Sequence, residues 1–289
     1  MNEREARRRR DLDELVDAVA LEEFRAAHGR PSLPPVAVVI AAYRERDNIG
    51  TVVGSLPGRV CGLEAKAIVV VDGEEDGTAE IVRRAGHYAV VAPVNRGQGA
   101  ALRLGYRVAR EHGARFIVTA DADGQTDPAD LEVVLDPVVR DEADFVNGSR
   151  RLGETHSTDT VRNLGVRVYA LVVSVLTRRR VTDTANPIRA MRAELTGELE
   201  LAEPQYQASE LLISVLMRGE RYAERPVTMR ARGSGRSKKG GNLLYGLRYG
   251  RVVLRTYRRE RRRRRAGLPL GTATSRELAA RAGSLGERA

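Results

Sequence analysis

Apolar residues along this chain alternate between two rhythms. Val36 to Ala42 is an unbroken apolar run, the pattern of a strand buried on both faces of a sheet. Asn48 to Leu56 follows with apolar positions at helical spacing. The exchange then repeats. Ala67 to Val71 reads as a strand, Thr78 to Ala85 as a helix, Ala89 to Ala92 as a short strand, Gly99 to Glu111 as a helix and Phe116 to Ala120 as a strand. Asp127-Pro128 opens a helix over Leu131 to Val139, and Asp144 to Gly148 reads as a further strand. Strands and helices taking turns predict an α/β fold with a doubly wound sheet, whose ligands gather at the carboxyl ends of the strands.

The two ends of the chain depart from this rhythm. Leu12, Leu15, Val16, Val19 and Phe24 keep helical spacing up to Gly29 and the prolines at 31, 34 and 35, which predicts an N-terminal helical extension over 1–33, packed on the body. Beyond Gly153 the alternation loosens. Thr160 to Leu176 and Glu210 to Arg218 read as helices, Arg221 to Arg230 as a strand and Arg232 to Gly241 as a Gly/Ser/Lys loop. The expected organisation is a main domain over 34–235, a basic loop and amphipathic helix over 236–265 and a small, polar, flexible tail over 266–289.

Composition narrows the classes. A chain of 289 residues with 42% hydrophobic and 30% charged positions buries an ample core, so it is neither disordered throughout nor a mini-protein. Cys61 is the single cysteine, which excludes an internal disulfide, and His28, His87, His112 and His156 are too dispersed for a Cys/His zinc site. No apolar run reaches the roughly 18 to 20 residues of a membrane-spanning helix, and the basic N-terminus leads into acidic residues rather than a signal-peptide stretch. A cytoplasmic protein is expected, with a peripheral place on the inner face of a membrane left open. The net charge is +10, yet Arg230 to Arg265 alone holds fifteen Lys/Arg against the single Glu260. One segment therefore carries the whole excess, and such a stripe seeks phosphate.

Candidate chemistry sits where strands end. Asp121-Ala122-Asp123-Gly124-Gln125 follows the strand at Phe116. Two carboxylates two residues apart converge on one hard cation when the backbone turns there, and Gln125 adds a neutral oxygen. The other reading is that these acids cap the next helix; placement after a buried strand favours the cation. Ala42-Tyr43-Arg44-Glu45 follows the first strand and Asp72-Gly73-Glu74-Glu75-Asp76-Gly77-Thr78 the second. Asp72 lies where a carboxylate reaches a base or ribose edge, while Asp76 and Thr78 have the spacing of a turn and N-cap. Asn95-Arg96-Gly97-Gln98-Gly99 follows the third strand, its glycines permitting close backbone approach at a helix start.

Taken in order, these elements resemble the family 2 glycosyltransferases of the GT-A fold, and among them the dolichol- or polyprenyl-phosphate hexose synthases. The resemblance runs from about Val36 to Arg258 and includes Gly148-Ser149-Arg150, Gln205-Tyr206-Gln207 with Glu210, and Arg232 with Gly235-Arg236-Ser237-Lys238. It implies a metal-dependent, inverting transfer of a hexose from a GDP- or UDP-linked sugar. By that likeness Asp121, Asp123 and Gln125 hold Mg²⁺ or Mn²⁺ against the donor diphosphate, with Ala42, Tyr43, Glu45, Asp72, Arg96, Gly97, Gln98 and Ala122 around the donor. Arg150, Arg162, Arg232 and Lys238 are the cations for donor and acceptor phosphates. The chain departs from the family pattern at Val71 and Arg44, on the donor side, and at Asn186-Pro187-Ile188-Arg189, which stands where Ser-Gly-Phe-Arg is usual on the acceptor side.

The acceptor sets the chemistry. A polyprenyl phosphate is already anionic and needs positioning rather than a base. A soluble small-molecule hydroxyl needs a carboxylate to take its proton, for which Asp183 and Glu210 are the candidates; each is otherwise a structural acid paired with an arginine. Projection of Asn242 to Arg262 at about 100° per residue puts Arg248, Arg251, Arg255, Arg258 and Arg262 in a sector roughly 80° wide, opposite Leu243, Leu247, Tyr249, Val253, Leu254 and Tyr257. Such a helix lies flat on an anionic bilayer or covers the core, and Arg261 to Arg265 is expected to run past the folded body. A nucleic-acid-binding protein is the competing class. It leaves the acidic loop without a task, and with aromatics at 4% and no Trp, stacking platforms are few, so no specific nucleic acid is expected.

Overall fold

The structure, a computed structural model, describes residues 3–153, 160–229 and 242–267. Its centre is a mixed eight-stranded sheet with the order β2-β3-β1-β5-β7-β6-β8, and with β4 also paired to β3. The strands are β1 (Val36–Ala42), β2 (Arg59–Val60), β3 (Leu63–Asp72), β4 (Tyr88–Ala92), β5 (Phe116–Asp121), β6 (Phe145–Ser149), β7 (Arg189–Arg192) and β8 (Tyr222–Pro226). The helices are α1 (Glu3–His28), α2 (Arg46–Ser55), α3 (Thr78–Arg84), α4 (Gln98–Glu111), α5 (Ala129–Val139), α6 (Thr160–Thr177), α7 (Leu195–Glu198), α8 (Gln207–Arg218) and α9 (Asn242–Arg265).

The continuous apolar run of β1 serves two cores at once. Val36, Val38 and Ile40 pack with Ile49, Val53, Val82, Leu131 and Leu135 on the side of α2, α3 and α5. Ala37 and Val39 pack with Phe24, Leu104, Val108, Leu211 and Val253 on the side of α1, α4, α8 and α9. Each large aliphatic side chain withdrawn from water in this way contributes about 1.5–3 kcal/mol, which makes the three-layer sandwich stable without any disulfide.

Three elements have no counterpart in the sequence expectation: β2, α7 and, most consequentially, β7. Its sequence, Arg-Ala-Met-Arg, lacks a strand signature, yet it lies antiparallel between β5 and β6. The strand expected over Arg221 to Arg230 is shorter in the structure and ends at Pro226.

The basic helix resolves into the covering arrangement. Tyr249, Val252, Val253, Thr256 and Glu260 are buried, and α9 lies against α8 and α6. Leu247 and Leu254, projected on the same side, remain 65% and 42% exposed. The arginine run is the end of α9, which continues to Arg265; Arg263 pairs with Glu200, while Arg261, Arg262, Arg264 and Arg265 are exposed.

Candidate active site

Strands β1, β3, β4 and β5 are parallel. Two antiparallel steps through β7 bring β6 into the same direction as β5. With β8 parallel to β6, six strands therefore deliver their carboxyl ends to one edge, and Tyr43 to Glu45, Asp72, Asn95 to Gln98, Asp121 to Gln125 and Arg150 end or follow five of them.

On the expected donor side, Asp72 shapes a loop. It is 2% exposed, and its Oδ2 accepts the backbone N–H groups of Arg96 at 2.8 Å and Gly97 at 2.7 Å. Its Oδ1 is buried with no hydrogen-bond partner in the structure. Burial pushes this carboxyl up, and the two N–H groups offset only part of the effect. The Arg96 side chain departs from its expected place beside the donor: its guanidinium is taken up by α1, donating to the Asp13 carbonyl at 3.0 Å and pairing with Asp17 at 2.7 Å. Asp13 and Asp17, one helical turn apart, make the anionic pocket that claims it. Burial raises the Asp17 carboxyl in spite of that arginine.

The rest of this side is built from backbone. Gly97 has φ +96°, and a Cβ there would lie 2.8 Å from the Pro204 carbonyl oxygen. Gly99 donates its N–H to that same oxygen at 2.7 Å, and a Cβ on it would lie 2.0 Å from the Glu203 carbonyl. Only glycine admits so close an approach. After β1, Arg44 takes a left-handed φ of +53°, pairs with Glu75 and stacks over the Tyr43 ring at 5.1 Å. Glu45 accepts from the Asn48 amide at 2.9 Å, while Ala42 is buried at the end of the strand. Asp76 accepts the Thr78 N–H at 3.1 Å and hydroxyl at 2.6 Å in a turn ahead of α3, whose N-cap is Gly77.

The acidic loop begins on the last residue of β5. Asp121 and Asp123 are half-buried, with buried Ala122 between them. Asp123 Oδ1 accepts the Gln125 N–H at 3.1 Å, and the Gln98 amide donates to Asp121 Oδ1 at 3.2 Å. Gln98 thus ties the loop after β4 to the acidic one. The donor set is two carboxylates and an amide, hard oxygens that suit Mg²⁺ or Mn²⁺ rather than a thiophilic ion. Among the described residues no three His, Cys, Asp or Glu side chains gather at one point. A cation on this loop would therefore rest on few protein ligands, with positions left for phosphate oxygens.

Across the sheet edge stands Arg150. Its Nε and NH2 lie 2.7 and 2.9 Å from the two carboxylate oxygens of Asp183, which also accepts the N–H of Ala185 at 3.0 Å. Burial favours the neutral form of Asp183, but Arg150 outweighs it and holds the carboxyl below its ordinary range. Burial likewise opposes the charge of Arg150, and Asp183, with a smaller part from Asp121, more than restores it. Glu210, the other carboxylate considered as a base, is 1% exposed and accepts from Ala202 N–H, Glu203 N–H and Arg259 at 2.8 to 3.1 Å. It fastens α8 to α9. Arg232 and Lys238 lie outside the described residues, and Arg162 lies in the first turn of α6.

Several residues escaped the sequence reading. Glu224 on β8 accepts the N–H groups of Thr182 at 3.0 Å and Asp183 at 3.3 Å. Thr182 shares a 2.6 Å hydrogen bond with Ser149, next to Arg150. Met229 bridges to Thr126 and places its sulfur 3.6 Å from Arg150 NH1. Arg189 is buried and donates to Asn147 Oδ1 at 3.1 Å and to the Thr184 and Ala208 carbonyls. The one advance signal was its place in Asn186-Pro187-Ile188-Arg189.

Comparison with known proteins agrees with this geometry. The profile of glycosyl transferase family 2 matches residues 37–199. A dolichyl-phosphate hexose transferase of Haloferax volcanii is 32% identical over 197 residues, 68% of this chain and 83% of that protein. An undecaprenyl-phosphate mannosyltransferase of Micrococcus luteus is 29% identical over 220 residues, 72% of this chain and 89% of that protein. Among solved structures, glucosyl-3-phosphoglycerate synthase from Mycobacterium tuberculosis, in complex with Mn²⁺, UDP-glucose and phosphoglyceric acid, superposes with a TM-score of 0.62 at 22% identity, covering 86% of this chain and 83% of that one. The mixed sheet with its flanking helices is thus the GT-A fold, and the chain belongs to glycosyl transferase family 2.

Proposed function

We propose that this glycosyltransferase moves a hexose from a nucleotide sugar to a polyprenyl phosphate at a membrane surface, with inversion and with a divalent metal. The observation that carries the reading is Arg150, a cation fixed at two points by a fully buried carboxylate and set across from the acidic loop. A guanidinium so held presents its remaining N–H groups to a phosphate in one orientation.

Asp121, Asp123 and Gln125 would hold Mg²⁺ or Mn²⁺, which when bound supplies positive charge to the departing nucleoside diphosphate. The unpartnered Oδ1 of Asp72 is suited to receive a donor hydroxyl or base N–H. An acceptor phosphate oxygen attacks the anomeric carbon as the bond to the diphosphate breaks, the electron pair leaving with the nucleotide. No proton moves, so no base is required. Asp183, with both oxygens engaged, acts as the positioning residue for Arg150.

Approach to a lipid acceptor is supported by the outer face of α6. Val168, Leu171 and Val175 are 50%, 65% and 69% exposed, flanked by exposed Arg167 and Arg178 to Arg180. Apolar side chains flanked by cations suit an anionic membrane surface. Among the described residues no helix is long and apolar enough to cross a membrane. The test is incubation with labelled UDP- and GDP-hexoses and either a short-chain polyprenyl phosphate or a soluble phosphorylated acceptor. Label entering the organic phase supports the proposal; transfer only to the soluble acceptor refutes the lipid assignment and keeps the donor chemistry.

A further inference from the structure

α1 has two faces of opposite kind. Val16, Ala20 and Phe24 are buried in the core, and Asp13 and Asp17 hold Arg96, with Asp13 also pairing with Arg103 at 3.0 Å. On the opposite side Arg8, Leu12, Leu15, Val19 and Glu22 follow one another at steps of four, three, four and three residues. At about 100° per residue they fall in one sector about 80° wide. All five are exposed, Leu12, Leu15 and Val19 by 50%, 63% and 47%. Single exposed leucines are ordinary, but an aligned apolar stripe closed by one charge at each end is not.

The stripe is complementary to itself. Arg8 stands seven residues before Leu15 and Glu22 seven after it. A second helix of the same sequence, laid antiparallel about a two-fold axis through Leu15, sets Arg8 against Glu22 of the partner subunit, Leu12 against the partner's Val19 and Leu15 against the partner's Leu15. A parallel arrangement would bring arginine to arginine and glutamate to glutamate, which like charge opposes. We propose that the outer face of α1 is a self-association surface on which two copies of this chain pair antiparallel around Leu15, an isologous contact. The stripe on α6 shows no such symmetry: among the described residues its exposed charged flanks are arginines. The pairing of α1 is independent of the donor and acceptor assigned above.

The experiment is sedimentation equilibrium of the full chain over about a hundredfold range of concentration, wide enough to cross a mass-action transition. The wild type is expected to pass from the 31.7 kDa of one chain to twice that mass. Leu15→Glu, which places two carboxylates face to face on the axis, is expected to hold it at one chain throughout. Arg8→Glu and Glu22→Arg each weaken pairing about tenfold, and the two together restore it. All these positions face solvent, so unchanged thermal melting of dilute protein accompanies each variant. A wild type that stays at one chain, a Leu15→Glu variant that pairs like the wild type, or a double charge reversal that restores nothing would overturn the proposal. Wild-type protein that is single-chain in solution and binds phosphatidylserine vesicles through Leu15 would overturn it in favour of a lipid partner.

Discussion

Arg150 and Asp183 meet at two points in a nearly dry pocket, where the arginine side chain is 11% exposed and the carboxylate not at all. A carboxylate with both oxygens engaged, held below its ordinary range by the cation it faces, orients that cation and is a poor acceptor of protons.

Removing that charge is therefore expected to be costly in two separable ways. Asp183→Ala leaves a buried guanidinium without its counter-ion, a loss of about 3–5 kcal/mol of stability measurable by urea unfolding. Asp183→Asn keeps an accepting oxygen and is expected to raise KM for a phosphate acceptor while the pH–rate profile keeps its shape. If that profile instead loses its acid limb, Asp183 is the base and the acceptor is a hydroxyl.

Asp121→Ala and Asp123→Ala are expected to leave the fold intact, since half-exposed positions of this kind change stability by only about 0.5 kcal/mol. Turnover should drop by about a hundredfold or more, on the scale of a lost charge-stabilising group. Calorimetric titration with UDP and GDP, with and without Mn²⁺, provides the check: the metal should tighten nucleotide binding in the wild type and make no difference in either variant.

Gly99→Ala tests the contact between α4 and the segment before α8. A Cβ there has 2.0 Å of space against a backbone oxygen, so backbone must move, at about 1–3 kcal/mol for overpacking of this type. Because Gln98 and Gly97 lie in the same turn, donor-nucleotide affinity is expected to fall together with the urea midpoint. An unchanged affinity at a lowered midpoint would separate the turn from the donor.

Acid stability should report on Asp144. Burial opposes its ionisation, but Arg221, at 2.8 and 3.0 Å, and Arg192, at 3.2 Å, outweigh that and hold it below the ordinary value of 3.8. A carboxyl depressed in the folded state stabilises the fold above its unfolded value, and that stability is lost as pH falls from about 3.8 through the folded value. Asp144→Asn is thus expected to be less stable at pH 7 and to lose less on acidification, as followed by circular dichroism. Asp183 titrates in the same direction and keeps part of the acid limb in the variant.

How much of this was legible in the chain depended on whether a residue's partner was local. Val36 to Ala42 announced a doubly buried strand because both neighbouring layers demand apolar side chains. The Arg189 to Arg192 strand gave no such signal, for its terminal arginines are satisfied by Asn147, Asp141 and Asp144, far away in sequence. The loop at Arg96 was legible as a turn before a helix, but the direction of its side chain was not, since Asp13 and Asp17, some eighty residues earlier, hold its guanidinium. For α9 the periodicity separated the two faces and could not say that protein, rather than lipid, meets Tyr249 and Val253.

The carbonyl of Pro204 closes the first turn of α4, next to the loop that follows β4. The stretch of backbone that introduces α8 is thereby bolted to the far half of the cleft. On the proposed reading, re-routing the main chain at 203–204 would carry the expected donor loop along with it, because one peptide carbonyl joins the two.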